Sequence, residues 1–190
     1  MLFRRTHCLV RQTGSKAAGV TPVGSARPSG HSARRSASLA VFTTQETSLM
    51  QVVEAHGARI PTIGLGTMTL KEDVCVQAVK TALQVGYHHL DTAAHYGNEV
   101  ENGEGFRQSG VKREDAFICT KVRQGDLNPD DFRRVITQSL KNLQLPYVDL
   151  LLIHWPSKEV PIADTIGALC KAKKEGKTKH IGLSFFLCLA

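Results

Sequence analysis

The alternation of strand and helix segments from residue 50 onward is the feature that most constrains the fold. A helical segment between each pair of strands favours parallel pairing with right-handed crossovers. The strands recur about every 30 residues, as expected for repeated strand–helix units. The pattern is typical of an α/β sheet, either an open doubly wound sheet or a closed barrel. Apolar segments predict the parallel strands at 62–67, 87–93, 116–122, 148–154 and 180–184.

Local signals fix several of the remaining elements. His56-Gly57, between Gln51–Glu54 and Arg59–Ile60, predicts a short antiparallel hairpin ahead of the first parallel strand. One helix has a sharp start, because Asn128 fits the N-cap and Pro129 fits the first helical position. Three other helices, each followed by a glycine suited to a helix end, are predicted at 71–85, 99–109 and 164–175.

Polar side chains stand at or just beyond the ends of three predicted strands. They are Asp91, Tyr96, Lys121 and His154. Because the carboxyl ends of parallel strands share one edge, we expect these groups to lie together. A phenol, whose ordinary pKa is about 10, exchanges protons poorly at neutral pH, and a neighbouring ammonium eases the exchange. The set therefore predicts a proton-donating site.

Three segments resemble the aldo-keto reductase family, especially its bacterial members. They read HHLDTAAHYGNE (88–99), FICTKV (117–122) and LLLIHWP (150–156), and the resemblance runs from about residue 50 to 184. It implies a (β/α)8 TIM barrel that binds NADPH without a Rossmann domain, and no G-x-G-x-x-G follows any predicted strand. It also implies a catalytic tetrad in which Tyr96 donates the proton and Asp91, Lys121 and His154 support it.

The resemblance further implies a function and a set of binding residues. The activity would be NADPH-dependent reduction of a small-molecule aldehyde or ketone to an alcohol. Met68 departs from the family, which often has an aromatic residue there. The cofactor would lie against Gly66, Thr67, Asp91 and Ser184, and the substrate against His95, His154 and Trp155.

The fifth predicted strand departs from the family pattern. It reads Gly-Leu-Ser-Phe-Phe from Gly182 where the family reads Gly-Val-Ser-Asn-Phe, so Ser184 is kept and the asparagine is absent. The chain holds about the first five β/α units and lacks the later segments that bind the cofactor phosphates in the family. A second hypothesis is therefore a catalytically incompetent, truncated fragment of such a reductase. Its exposed sheet edges would favour self-association.

Charge is concentrated at the N-terminus. Residues 1–49 hold seven Lys and Arg against one acid, whereas residues 50–190 hold 17 basic and 16 acidic side chains. The Ser-, Gly- and Arg-rich composition predicts a disordered N-terminal extension, followed by a partial reductase domain at 50–190. The extension is either a transit-like segment or sequence upstream of a true start at Met50. Without interleaved aromatic residues, the charge does not indicate nucleic-acid binding.

Cysteine usage and hydropathy bound the remaining possibilities. Five cysteines, an odd number without a C-x-x-C pair, predict neither a disulfide framework nor a metal site. Such usage favours a reducing compartment. We therefore expect a cytoplasmic protein, or a mitochondrial one if residues 1–49 are a transit peptide. No apolar run reaches the roughly 18 residues expected of a membrane span, so no membrane partner is indicated.

Overall fold

The computed structural model describes residues 51–184. The predicted N-terminal extension, residues 1–49, and the last six residues lie outside the described part. The described chain begins with an antiparallel hairpin, β1 (Val52–Ala55) and β2 (Ala58–Pro61). His56 and Gly57 join these strands with φ values of 47° and 82°. Two successive positive φ values match the turn that fits the twist of paired strands, and the predicted hairpin is confirmed.

Five parallel strands and four intervening helices follow the hairpin. The strands pair in the order β3-β4-β5-β6-β7, which is also their order in the chain. The elements are β3 (Leu65–Gly66), α1 (Glu72–Gln84), β4 (His89–Asp91), α2 (Glu99–Ser109), β5 (Phe117–Val122), α3 (Pro129–Leu143), β6 (Val148–Ile153), α4 (Ile162–Lys174) and β7 (Thr178–Leu183).

Strand order distinguishes the two architectures that the sequence left open. A doubly wound sheet reverses its strand order at a switch point, whereas a barrel adds each strand beside the previous one. Here the order is sequential, and each helix packs against the next, α1 on α2, α2 on α3 and α3 on α4. The helices therefore line one side of the sheet. The described residues form the first part of a (β/α)8 barrel.

The core lies between the sheet and the helices. It is built from strand residues such as Leu90, Ile118 and Leu151, and from helix residues such as Val79 and Phe132. Strand β5 is buried along its whole length, as a central strand of a parallel sheet should be. Within the described residues, no helix is long and apolar enough to cross a membrane.

Helix α2 is held closely between α1 and α3 by two glycines. A Cβ atom on Gly103 would lie 2.5 Å from the carbonyl oxygen of Leu143, at the end of α3. A Cβ on Gly105 would lie 2.7 Å from the carbonyl oxygen of Val76, in α1. Real Cβ atoms do not approach this closely, so only glycine permits the packing. The two contacts therefore set how closely α2 approaches α1 and α3.

The first parallel strand is shorter than predicted. The apolar pattern predicted a strand over 62–67, but β3 comprises only Leu65 and Gly66. Thr62 instead pairs with the hairpin, since its amide and its hydroxyl both donate to the carbonyl of Gln51, at 3.0 and 3.1 Å. The start of the predicted strand is therefore drawn into the hairpin.

Candidate active site

The carboxyl ends of β4, β5 and β6 bring three of the predicted site residues together. Asp91 ends β4, Lys121 lies near the end of β5, and His154 follows β6. Asp91 is in register with Cys119, two residues before Lys121, so both side chains lie on the same face of the sheet. The ammonium of Lys121 lies 2.6 Å from Asp91 Oδ1. The predicted ion pair between these residues is present.

Tyr96 is delivered to this group by a short loop. The loop after β4 forms a single 3₁₀ turn, Ala94–Tyr96, which ends at Gly97 in the left-handed conformation with φ 66°. The Tyr96 hydroxyl lies 3.5 Å from Lys121 Nζ, and its ring meets the His154 ring edge to face, with centroids 5.7 Å apart. The structure therefore brings Asp91, Tyr96, Lys121 and His154 together at one edge.

Burial and charge decide the protonation of two of these groups. The side chain of Lys121 is 6% exposed. Burial opposes its charge, but the adjacent Asp91 carboxylate, together with Cys119 and Tyr96, more than compensates and raises the pKa of Lys121. Burial, together with the neighbouring Lys121 and His95, lowers the pKa of His154. At neutral pH the site thus presents an ammonium ion and a neutral imidazole.

The residues predicted to bind a cofactor lie along the same edge. Gly66 is in register with Asp91, and the amide of Thr67 donates to the Asp91 carbonyl at 3.1 Å. Thr67 is fully buried. Ser184 lies at the opposite side of the sheet, just after β7. Its amide donates to the carbonyl of Ile153 at 2.9 Å and so continues the pairing of β7 with β6. Thr67 and Ser184 therefore flank the strand ends that carry the tetrad.

The predicted substrate residues occupy the rim of the site. Trp155 follows His154 directly and is 46% exposed, and Met68 is 60% exposed in the loop after β3. His95 is exposed in the 3₁₀ turn and lines a surface cavity of about 360 Å³ between α2 and α3. His95 also lies close enough to His154 to affect its pKa.

Three further residues beside the site were not singled out from the sequence. Asn98 and Glu99 follow the Tyr96 loop directly and are buried, and Lys71 precedes α1. The Lys71 ammonium donates to the Tyr96 carbonyl at 2.7 Å. The local sequence signals an N-cap and an acidic first helical turn at Asn98-Glu99. It gives no sign that both side chains are used for tertiary contacts.

Comparisons with known proteins identify the family. The family model described as the aldo/keto reductase family matches residues 62–188. Methylglyoxal reductase DkgB of Escherichia coli O157:H7 is 46% identical over 129 residues, covering 67% of this chain and 48% of that protein. A crystal structure of a putative 2,5-diketo-D-gluconic acid reductase B superposes with a TM-score of 0.71 at 42% identity, covering 73% of this chain and 50% of that one.

A second similar structure contains a bound cofactor. It is the Bombyx mori aldo-keto reductase in complex with NADP, which matches with a TM-score of 0.64 at 31% identity, covering 70% of this chain and 50% of that one. The chain thus spans about half the length of the relatives it matches. The family model covers most of the chain, and the fold agrees with the solved structures. The chain belongs to the aldo/keto reductase family.

Proposed function

We propose that the site reduces an aldehyde or ketone to an alcohol with NADPH, and that Tyr96 donates the proton. The observation that carries this proposal is the position of Lys121 Nζ, 2.6 Å from Asp91 Oδ1 and 3.5 Å from the Tyr96 hydroxyl. A buried ammonium ion beside a phenol favours the phenolate that remains after proton donation. The Asp91 carboxylate holds that ammonium in place.

The supporting residues have separate tasks in this mechanism. Bound NADPH supplies the hydride that reduces the carbonyl carbon. His154, neutral because burial lowers its pKa, donates an N–H to the carbonyl oxygen and orients it. Tyr96 gives its proton to the same oxygen. Lys121 also donates to the Thr92 carbonyl at 2.9 Å, which further restrains its Nζ.

The groups at this edge fit the nicotinamide end of the cofactor. A carboxamide both donates and accepts hydrogen bonds, and the partly exposed Asp91 carboxylate and the Ser184 hydroxyl offer complementary partners. Gly66 is exposed, and a Cβ atom built on it meets nothing within 4 Å, so open space adjoins this strand end. We assign Gly66, Thr67, Asp91 and Ser184 to the cofactor. The Bombyx mori relative was solved in complex with NADP, which supports a cofactor of this type.

The proposed substrate is a small carbonyl compound held between Trp155, His95 and His154. Trp155 and His95 are exposed beside the buried His154, so an apolar group and a polar group border the place where a carbonyl oxygen would lie. The similar Escherichia coli protein is a methylglyoxal reductase. Methylglyoxal is therefore the first substrate to test.

The second candidate function is that of a fragment that keeps the tetrad but lacks catalysis. Two cations near this edge are already engaged, Arg123 with Asp126 at 2.5 Å and Lys71 with the Tyr96 carbonyl. These two side chains therefore contribute little positive charge for binding the cofactor phosphates. In the described part of the sheet, β3 and β7 each pair with one neighbour only. Under this hypothesis, these edges would associate with other chains.

Two measurements decide between the candidates. Fluorescence titration with NADPH shows whether the chain binds the cofactor, and NADPH oxidation with methylglyoxal measures turnover. If the chain is a reductase, Tyr96→Phe and Lys121→Met should each lower kcat by about 100-fold or more, the usual scale of a lost proton-transfer group. Trp155→Phe, which leaves the proton donor intact, should change KM more than kcat. Absence of both NADPH binding and turnover in the wild-type chain would establish the fragment hypothesis.

We also propose the domain division and location that the sequence suggests. The family model begins at Thr62 and the hairpin at Val52, which supports a reductase domain over 50–190 behind a separate extension. Cys75, Cys119 and Cys170 are free thiols, and this supports a reducing, cytoplasmic location. Fluorescence microscopy of the full chain and of a form starting at Met50 would test the mitochondrial alternative.

A further inference from the structure

Asn98 occupies an N-cap position without acting as a cap. It precedes α2, where asparagine normally accepts a hydrogen bond from the helix backbone. Here its side chain makes no capping bond. Its amide nitrogen donates instead to the carbonyls of Thr67 and Leu70, at 2.6 and 2.9 Å. Both acceptors lie in the loop after β3, so Asn98 connects the end of the Tyr96 loop to that neighbouring loop.

The oxygen of the same amide completes the connection. Asn98 Oδ1 accepts from the Thr92 hydroxyl at 3.2 Å, and Thr92 follows Asp91 directly. Asn98 and Thr92 are both fully buried. A buried amide that uses both of its ends in this way has one orientation only. The backbone around Asn98 is therefore fixed relative to the ends of both β3 and β4.

A second contact crosses between the same two loops. Lys71, at the end of the loop after β3, donates from its ammonium to the Tyr96 carbonyl at 2.7 Å. Within its own loop, the Tyr96 amide donates to the Ala93 carbonyl at 3.0 Å, which closes a single turn. One such turn restrains a loop weakly. The contacts from Asn98 and Lys71 tie it to the rest of the protein.

We infer that Asn98 and Lys71 are positioning residues for Tyr96, an inference that rests on the proposed role of Tyr96 as proton donor. They hold the Tyr96 hydroxyl within reach of Lys121 by fastening its loop to the loop after β3. That loop also contains Thr67, which we assign to the cofactor. Asn98 therefore sets the distance between the cofactor side of the site and the proton donor, where a displacement of about 1 Å can cost about 100-fold in rate.

Asn102 provides a matched control for a merely structural role. It is also a buried amide of α2, only one turn further on. Its Nδ2 donates at 2.7 Å to the Asn98 carbonyl. The same nitrogen makes longer contacts with Asn98 Oδ1 at 3.2 Å, Thr67 Oγ1 at 3.4 Å and Cys75 Sγ at 3.5 Å, and the Asn102 Oδ1 has no protein partner. Replacing it removes a buried amide without releasing the Tyr96 loop from the carbonyls of Thr67 and Leu70.

The test follows the Tyr96 ring directly by ¹⁹F NMR of the full chain labelled with 3-fluorotyrosine. The chain has three tyrosines, and Tyr96→Phe assigns the resonance of interest. In Asn98→Ala, the Tyr96 resonance should broaden or move most of the way to its denatured position. The Tyr147 resonance should stay, because that ring lies between Arg113 and Lys179, at 4.2 and 4.4 Å. Asn102→Ala should leave both resonances unchanged.

Lys71→Met keeps the inference testable if Asn98→Ala fails to fold. Lys71 is exposed, so its replacement leaves no buried polar group unpaired at that position. The Tyr96 resonance must then broaden or shift while that of Tyr147 stays native. An unchanged Tyr96 resonance in folded Asn98→Ala, or in Lys71→Met, would overturn the inference.

Turnover separates this inference from the proposed function. Where the wild-type chain oxidises NADPH, Asn98→Ala should lower kcat by about 100-fold with a much smaller change in KM for methylglyoxal. A loss confined to KM would contradict positioning. A wild-type chain without turnover would count against the proposed function, whereas the NMR measurement, made without substrate or cofactor, would still decide the roles of Asn98 and Lys71.

Discussion

Glu99, beside the site, is an acid whose carboxyl is buried in the fold. It is the first residue of α2 and is buried, with 4% exposure. Its carboxyl accepts a hydrogen bond from the Thr120 hydroxyl at 2.7 Å, and Ser139 and Asn142 of α3 also donate to it. Burial raises its pKa, and these neutral donors only partly offset the effect. Glu99 thus joins α2, α3 and β5 at the expense of burying an acid.

Replacing Glu99 with glutamine should remove a pH dependence of stability. Because its pKa is raised in the folded state, the Glu99 carboxyl stabilises the fold fully below its unfolded pKa. That contribution is lost as the pH rises through the folded value. The free energy of unfolding of Glu99→Gln, relative to wild type, should therefore increase between pH 5 and pH 8. Urea titrations at the two pH values measure it.

Glu104→Gln is the control for this measurement. Arg107 and Gln108 lower the pKa of the exposed Glu104 carboxyl, so its contribution is already complete above its unfolded pKa. The difference between Glu104→Gln and wild type should be the same at pH 5 and pH 8. If Glu99→Gln behaved in the same way, the Glu99 carboxyl would not be destabilised by burial.

At the scale of elements, the sequence predicted best where the determining signal is local. The start of α3 is as predicted, because Asn128 Oδ1 accepts from the Asp131 amide at 3.0 Å and Pro129 opens the helix. The shared edge of Asp91, Lys121 and His154 was also predictable, since it follows from parallel strands alone. The roles assigned to those residues remain predictions.

Sequence-based predictions were wrong or incomplete where a residue contacts a distant part of the chain. The strand predicted at 62–67 lost its start to a pairing with Gln51, which periodicity cannot reveal. The amide of Asn98 reaches the Thr67 carbonyl 31 residues earlier in the chain. An asparagine directly before a helix indicates an N-cap whose side chain bonds to the helix backbone. The Asn98 side chain instead bonds to the loop after β3.

The α3 cap should make a measurable contribution to stability. Asn128→Ala removes the acceptor for the Asp131 amide and should lower the free energy of unfolding by about 1 kcal/mol, the usual value of an N-cap side chain. Gln138→Ala, an exposed change in the middle of the same helix, should have a much smaller effect. Urea midpoints of the two variants provide the comparison. Equal midpoints would show that the Asn128 side chain does not cap α3.

At the scale of the whole molecule, the core is contained within the parallel sheet and its helices. The buried apolar cluster extends from Cys75 to Ala172, and the partly buried Leu65 and Ile181 pack against it. The hairpin adds a smaller buried area through Ala58 and Pro61. The composition of residues 1–49, rich in Ser, Gly and Arg, offers little apolar surface for packing. We therefore propose that residues 50–190 carry the stability of the fold.

A chain starting at Met50 should consequently unfold like the full chain. The slope of the unfolding free energy against urea scales with the surface exposed on unfolding. A segment that contributes no packed surface changes neither this slope nor the midpoint. A chain starting at Thr62 is the contrasting control, since it loses both hairpin strands and the burial of Ala58 and Pro61. Its midpoint should fall, whereas that of the Met50 form should not. A lower midpoint or slope for the Met50 form would instead show that residues 1–49 pack against the reductase domain.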